Sequence, residues 1–156
     1  MTYCIDTSSL IAAWGELYPI EHFPKLWEHV EALVQNGRLK APVEVLHETK
    51  RRSTELHKWL GKRKAMFVDI DEDIQRRQTA IMAAFPKLID TRRGHFAADP
   101  WVIALSIERG LVLVTQERFT GKPARPNIPD VCADGRFKTD CINLLDLIRR
   151  EKWIFS

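Results

Sequence analysis

The segment "ADPWVIALSIERGLVLV", residues 98–114, constrains the fold more than any other part of the chain. Asp99 and Pro100 open a helix as a cap followed by a first-turn proline, and Gly110 closes it. Between them the apolar residues Trp101 to Leu105 and Ile107 surround most of the helical circumference, which places this helix in the centre of the domain. The strand that follows directly, Leu111 to Val114, is apolar at every position, as a strand buried on both faces must be.

The rest of the chain alternates in the same way. "TYCI" is a short strand ending at Asp6, and "DTSSLIAAW" starts a helix. A helix from about His22 to Asn36 turns Phe23, Leu26, Trp27, Val30, Leu33 and Val34 to one face and stops at Gly37. A strand over Leu39 to Ala41 leads into a helix opened by Pro42, with Glu44 and Glu48 one turn apart on one side. "AMFVDI" is a third strand, "DEDIQRRQTAIMAAFPKL" a helix ended by Pro86, and "CINLLDLIRREKWIF" a last short strand with a closing helix. Residues 118–140 are polar and rich in Pro and Gly, a substrate flap or a surface connection. The order predicts an α/β protein, a three-layer α/β/α sandwich around a mostly parallel sheet, with residues 1–156 forming one domain.

In such sheets ligands bind outside the carboxyl ends of the strands. Asp6 follows the first strand, Glu117 follows the buried strand, Asp99 begins the helix that feeds it, and Glu48 reaches the same edge if its helix face is turned inward, with Glu44 as its competitor. Each has a plainer reading: Asp6 and Asp99 as helix caps, Glu48 as a solvated helix residue, Glu117 as the first exposed residue after a strand. Four acids in one cleft would raise one another's pKa unless a cation held them, and hard ions such as Mg²⁺ or Mn²⁺ take oxygen ligands of this type.

"CIDTSSLI", the acid of "VEVLHETKR", "ADPWVIALS" and "LVLVTQE" resemble, in order and spacing, the four acidic motifs of PIN-domain ribonucleases, in a bacterial subgroup related to toxin–antitoxin ribonucleases. By that resemblance Asp6, Glu48, Asp99 and Glu117 are the catalytic and metal-binding acids, Thr115 is the threonine that supports them by hydrogen bonding, and Ser8 is an assisting hydroxyl on the substrate side. Glu117 departs from the family pattern, being one methylene longer than the usual aspartate. The resemblance implies a Mg²⁺- or Mn²⁺-dependent endoribonuclease, with RNA as substrate and an antitoxin protein as partner; a homodimer is a further expected assembly. The alternative is an inactive PIN-like module that acts by binding a protein or a nucleic acid.

Charge supports a polyanionic partner. The net charge is only +3, but "KRRSTELHKWLGKRK" concentrates Lys50, Arg51, Arg52, Lys58, Lys62, Arg63 and Lys64 against the single acid Glu55. Arg51, Arg52, Lys62 and Arg63 are the expected phosphate contacts, joined by Arg92 and Arg93, and Trp59 among them is the expected base-stacking residue. Trp14 and Trp101 are expected to pack, and His47 and His95 to lie at the surface.

Other classes are disfavoured. The odd set Cys4, Cys132 and Cys141 contains no C-x-x-C pair, so neither a disulfide framework nor a zinc site is expected. Phosphate-cradling glycine loops are absent from the sequence. "FVDIDED" imitates the D-x-D of haloacid-dehalogenase-type phosphatases, but Asp73 stands where a small residue belongs, and "DED" suits a helix N-terminus. No apolar run approaches a membrane span and the first residues lack a secretory pattern, so a cytoplasmic location away from membranes is expected.

Overall fold

The computed structural model describes residues 1–89 and 96–156; Arg92, Arg93 and His95 lie outside the described residues. Five parallel strands form one sheet in the order β3-β2-β1-β4-β5: β1 Tyr3–Ile5, β2 Leu39–Pro42, β3 Phe67–Val68, β4 Val112–Val114 and β5 Cys141–Ile142. Helices connect them: α1 Thr7–Ala12, extended by a π turn over Ala13–Leu17, then α2 Pro24–Gln35, α3 Val43–Arg52, α4 Thr54–Gly61, α5 Glu72–Ala84, α6 Asp99–Arg109, α7 Ile128–Ala133 and α8 Leu144–Glu151. This is the α/β architecture expected from the alternation.

The central strands explain the apolar run that opened the sequence reading. β4 lies between β1 and β5, and Val112, Leu113 and Val114 are all buried. The turn into it is made by Gly110, whose left-handed φ of 63° lets Leu111 N–H donate to Ser106 O (2.8 Å), closing α6 and aiming the chain straight into the sheet. Leu113, fully buried and paired with Cys4 and Cys141, is a sensitive position. Leu113→Ala is expected to cost about 2–5 kcal/mol, read as a lower urea midpoint at unchanged slope.

Several expectations need correction. The "AMFVDI" strand shrinks to two residues, because Lys64–Met66 forms a 3₁₀ turn instead. The segment 118–140 contains α7, buried through Ile128, Val131 and Cys132. As expected, "FVDIDED" is a helix start: Asp71 accepts from Ile74 N–H (2.8 Å), pairs with Arg109 (2.7 Å) and caps α5. Trp59 packs against Trp14 and Trp27 with centroid separations of 6.1 and 5.2 Å, and the Arg63 guanidinium covers its ring at 3.6 Å. That ring is taken, so base stacking is not its role. No described helix is long and apolar enough to cross a membrane.

Candidate metal and phosphodiester site

The carboxyl ends of β1 and β4 bring three acids together. Asp6, Asp99 and Glu117 each offer a carboxylate oxygen, and these atoms lie within 4.8 Å of one another. Asp6 leaves β1 and caps α1, accepting from Ser9 N–H (2.8 Å); the capping and the clustering belong to one residue. Its Oδ2 also accepts from Ser8 Oγ (2.7 Å) and Thr115 Oγ1 (2.6 Å). Counting lone pairs, Oδ2 is filled and Oδ1 retains one acceptor position.

Asp99 joins the cluster but is not the cap that its place before Pro100 suggested. Ala98 stands at the cap position, and no side chain caps α6 at its own N-terminus. Asp99 lies one residue inside the helix, fully buried, and neither of its oxygens has a hydrogen-bond partner. A buried carboxylate with no donor is costly. Burial first, then the charges of Glu117 and Asp6, the close approach of the Glu117 carboxyl, with which Asp99 shares a hydrogen bond only when one of the two is protonated, and the charge of Glu48 push its pKa well above the ordinary aspartate range. Asp6 is raised to about 6, chiefly by burial, with the bonds from Thr115, Ser8 and Ser9 working the other way.

Glu117 is fixed at one oxygen: Oε1 accepts from Ile128 N–H (2.9 Å) at the start of α7. The longer side chain thus spans from the end of β4 to α7 while its carboxylate stays within the acid group. Thr115 completes the arrangement by accepting from Glu117 N–H (3.1 Å) through the same hydroxyl that donates to Asp6. Thr115→Val keeps the shape and removes both bonds. It is expected to lower thermal stability, by about 1–3 kcal/mol for the orphaned Glu117 N–H and the weakened Asp6, and a melting scan checks it.

Glu48 stands beside this trio and is not part of it. Its Oε1 accepts from Thr7 Oγ1 (2.7 Å) and its Oε2 from Ala98 N–H (3.2 Å), so it ties α3 to the starts of α1 and α6. Burial raises its pKa, opposed by the hydrogen bonds from Thr7, Ala98 and Ala97 and, least, by the charge of Arg52 one turn further along α3. Glu44 has one buried oxygen without a partner but does not join the trio. Of the four acids expected at this edge, three cluster and Glu48 braces the helices beside them.

The basic segment divides as well. Arg51, Arg52 and Lys62 are exposed, and Arg52 rests over the Phe96 ring at 4.8 Å. Arg63 is committed to Glu31, to Trp59 O (2.7 Å) and to the Trp59 ring, which corrects its expected use as a phosphate contact. Ser8 likewise donates to Asp6, so its proton supports the acid and is not offered to substrate.

Sequence reasoning missed a groove of about 380 Å³ beside the acids, lined by Thr115, Glu117, Cys132, Thr139, Asn143 and Asp146 among others. Asn143 and Asp146 carried a readable signal, the capping box of α8, but nothing in that pattern says which way the helix start faces. Asp134 and Asp140 pair with Arg136 (2.9 Å) and Arg150 (2.7 Å). Thr7 was missed because a helix-opening threonine looks like any cap.

The chain is thus an α/β fold with a parallel sheet and an acid trio at its carboxyl edge. A chain of VapBC2 from Rickettsia felis, crystallised bound to a DNA fragment from their promoter, superposes with a TM-score of 0.50, covering 81% of this chain and 97% of that one at 15% sequence identity. The likeness supports a PIN-like fold. The chain belongs to the family described as "Domain of unknown function (DUF4411)", which it matches over residues 3–155. No curated protein matches it.

Proposed function

We propose that the chain is a divalent-metal-dependent endoribonuclease that hydrolyses RNA phosphodiester bonds, and that it serves as the toxin of a toxin–antitoxin pair. The observation that carries the reading is Asp99: a fully buried carboxylate without a hydrogen bond, set against two further acids, is the donor set that a hard cation satisfies. Asp99, Asp6 and Glu117 would each offer a carboxylate oxygen to hold Mg²⁺ or Mn²⁺. When bound, such an ion lowers the pKa of water and neutralises charge on a phosphoryl oxygen.

The remaining chemistry belongs to the chain's own groups. Thr115 and Ser8 hold Asp6 in one orientation, Ile128 N–H holds Glu117, and Glu48 fixes the start of α6 on which Asp99 rides. Arg52, an exposed cation, would draw a phosphate toward the acids, with Arg51 and Lys62 extending the positive surface. The fold likeness to VapBC2 supports the toxin reading and an antitoxin partner.

The test is cleavage of a mixed single-stranded RNA by the purified, folded protein with Mg²⁺, with Mn²⁺ and with chelator. Metal-dependent cleavage is expected, weakening as salt rises because the Arg52 surface contributes through phosphate contacts. A folded, inhibitor-free protein that cleaves under no metal would move the assignment to a binding module.

A further inference from the structure

The loop that follows Glu117 is built with more care than a surface connection requires. Its two ends are tied together: Asn127 Nδ2 donates to Arg118 O (2.9 Å) and Ile128 N–H to Glu117 Oε1 (2.9 Å). Its interior converges on one carboxylate, Asp130, which accepts from the backbone N–H groups of Thr120 (3.1 Å), Gly121 (2.8 Å) and Asn127 (2.8 Å). Thr120 Oγ1 accepts from Lys122 N–H (3.1 Å). A loop held at this many points has few conformations to lose when something binds it.

What the loop presents is an aromatic ring among cations. Phe119 is 63% exposed, although burial of a phenylalanine is ordinarily favourable. Gly121, at φ 69°, gives the ring its place: a Cβ there would stand 3.3 Å from Phe119 Cε1. Arg118, Lys122 and Arg125 are exposed and form no ion pair among the described residues. Beside the ring lies a hollow of about 280 Å³ bounded by Phe85, Phe119, Lys122, Pro123, Pro126 and Asp134. A cavity of about 150 Å³ admits benzene, so the hollow has room for a nucleobase.

We propose that the loop over residues 118–127 is a stacking subsite for an unpaired base of single-stranded RNA, with Phe119 as the platform and Arg118, Lys122 and Arg125 on the flanking phosphates. The inference rests on the nuclease reading for its substrate, and it gives to Phe119 the role that sequence suggested for Trp59. Charge complementarity selects a polyanion, and the exposed ring face selects single strands, since a base within a duplex has no face free to stack. Because Phe119 lies two residues beyond Glu117, a base seated there would belong to a nucleotide within a few positions of the scissile bond.

The experiment separates the subsite from the acid centre. Binding of a fluorescein-labelled 12-nucleotide single-stranded RNA is followed by anisotropy in Ca²⁺, for the wild type, Phe119→Ala, Phe119→Trp and Lys122→Gln/Arg125→Gln. Hydrolysis of bis(p-nitrophenyl) phosphate in Mn²⁺, a substrate too small to reach the loop, is measured in parallel. Phe119→Ala is expected to weaken RNA binding about tenfold and Phe119→Trp to retain it. The double variant should weaken binding and flatten its salt dependence. Hydrolysis of the small substrate should be the same in all four. RNA binding that is equally strong in Phe119→Ala, or absent in the wild type, overturns the subsite and leaves the ring to a protein partner. Loss of small-substrate hydrolysis in every protein with the binding differences intact overturns the nuclease reading alone.

Discussion

Replacing Asp99 by asparagine is expected to remove metal-dependent cleavage while making the metal-free protein more stable. The two effects have one cause. In the absence of a cation the Asp99 carboxylate is buried, without a donor, and faces the charges of Glu117, Asp6 and Glu48. Asparagine keeps the shape and removes the charge, so the metal-free chain gains about 1–3 kcal/mol, roughly 2–4 °C in melting temperature per kcal/mol for a chain of this size. With a divalent ion the order is expected to reverse, since on the proposed reading the ion would stabilise the wild type and the variant would lack the ligand. Substitutions in the surroundings of a metal already cost about 10–100-fold in affinity or activity, and losing the buried ligand itself should cost at least that. Melting curves with and without Mn²⁺, taken alongside cleavage, check the crossing. A variant less stable than the wild type in chelator would mean that Asp99 is satisfied without a cation.

The second large effect is a dependence on pH that the cation erases. Asp6 is raised to about 6 and Asp99 is raised too, both mainly by burial. Between the unfolded-state value near 4 and the raised folded values, the folded chain binds more protons than the unfolded one, so stability falls as pH rises through that interval. The metal-free protein is therefore expected to be more stable at pH 5 than at pH 8. In Mn²⁺ the carboxylates are held ionised, protons compete with the ion, and the trend should flatten or invert, with cleavage rising with pH as the acids deprotonate. Chemical denaturation at pH 5, 6.5 and 8, in chelator and in Mn²⁺, provides the measurement. A metal-free stability that increases across this range would contradict the charge arrangement.

What could be read in advance divides along physical lines. The parallel sheet was legible because doubly buried strands leave apolar runs such as Val112–Val114, and because Gly110 marks where α6 must end. The positions of Asp6, Asp99 and Glu117 followed from their places after strands or at a helix start. Their division of labour did not. Nothing in the spacing distinguishes Asp99, inside its helix and unpartnered, from an ordinary cap, and nothing reveals that Glu48 turns both oxygens to Thr7 and Ala98. Those facts depend on contacts between segments 41 and 50 residues apart. The basic run likewise announced cations without showing that Arg63 would be spent on Glu31 and Trp59, and α7 was hidden because its six residues are too few to set up a periodic pattern.

The strand order has a consequence for the life of the molecule before it is complete. β1 needs β4 as a neighbour, and Thr115 reaches Asp6 across 109 positions of sequence. During translation Asp6 and Glu48 therefore emerge before the segments that carry Asp99 and Glu117, and a nascent chain that lacks those segments has no assembled acid trio. The topology sets an order in time: the acid trio assembles only once the segment through Glu117 has left the exit tunnel.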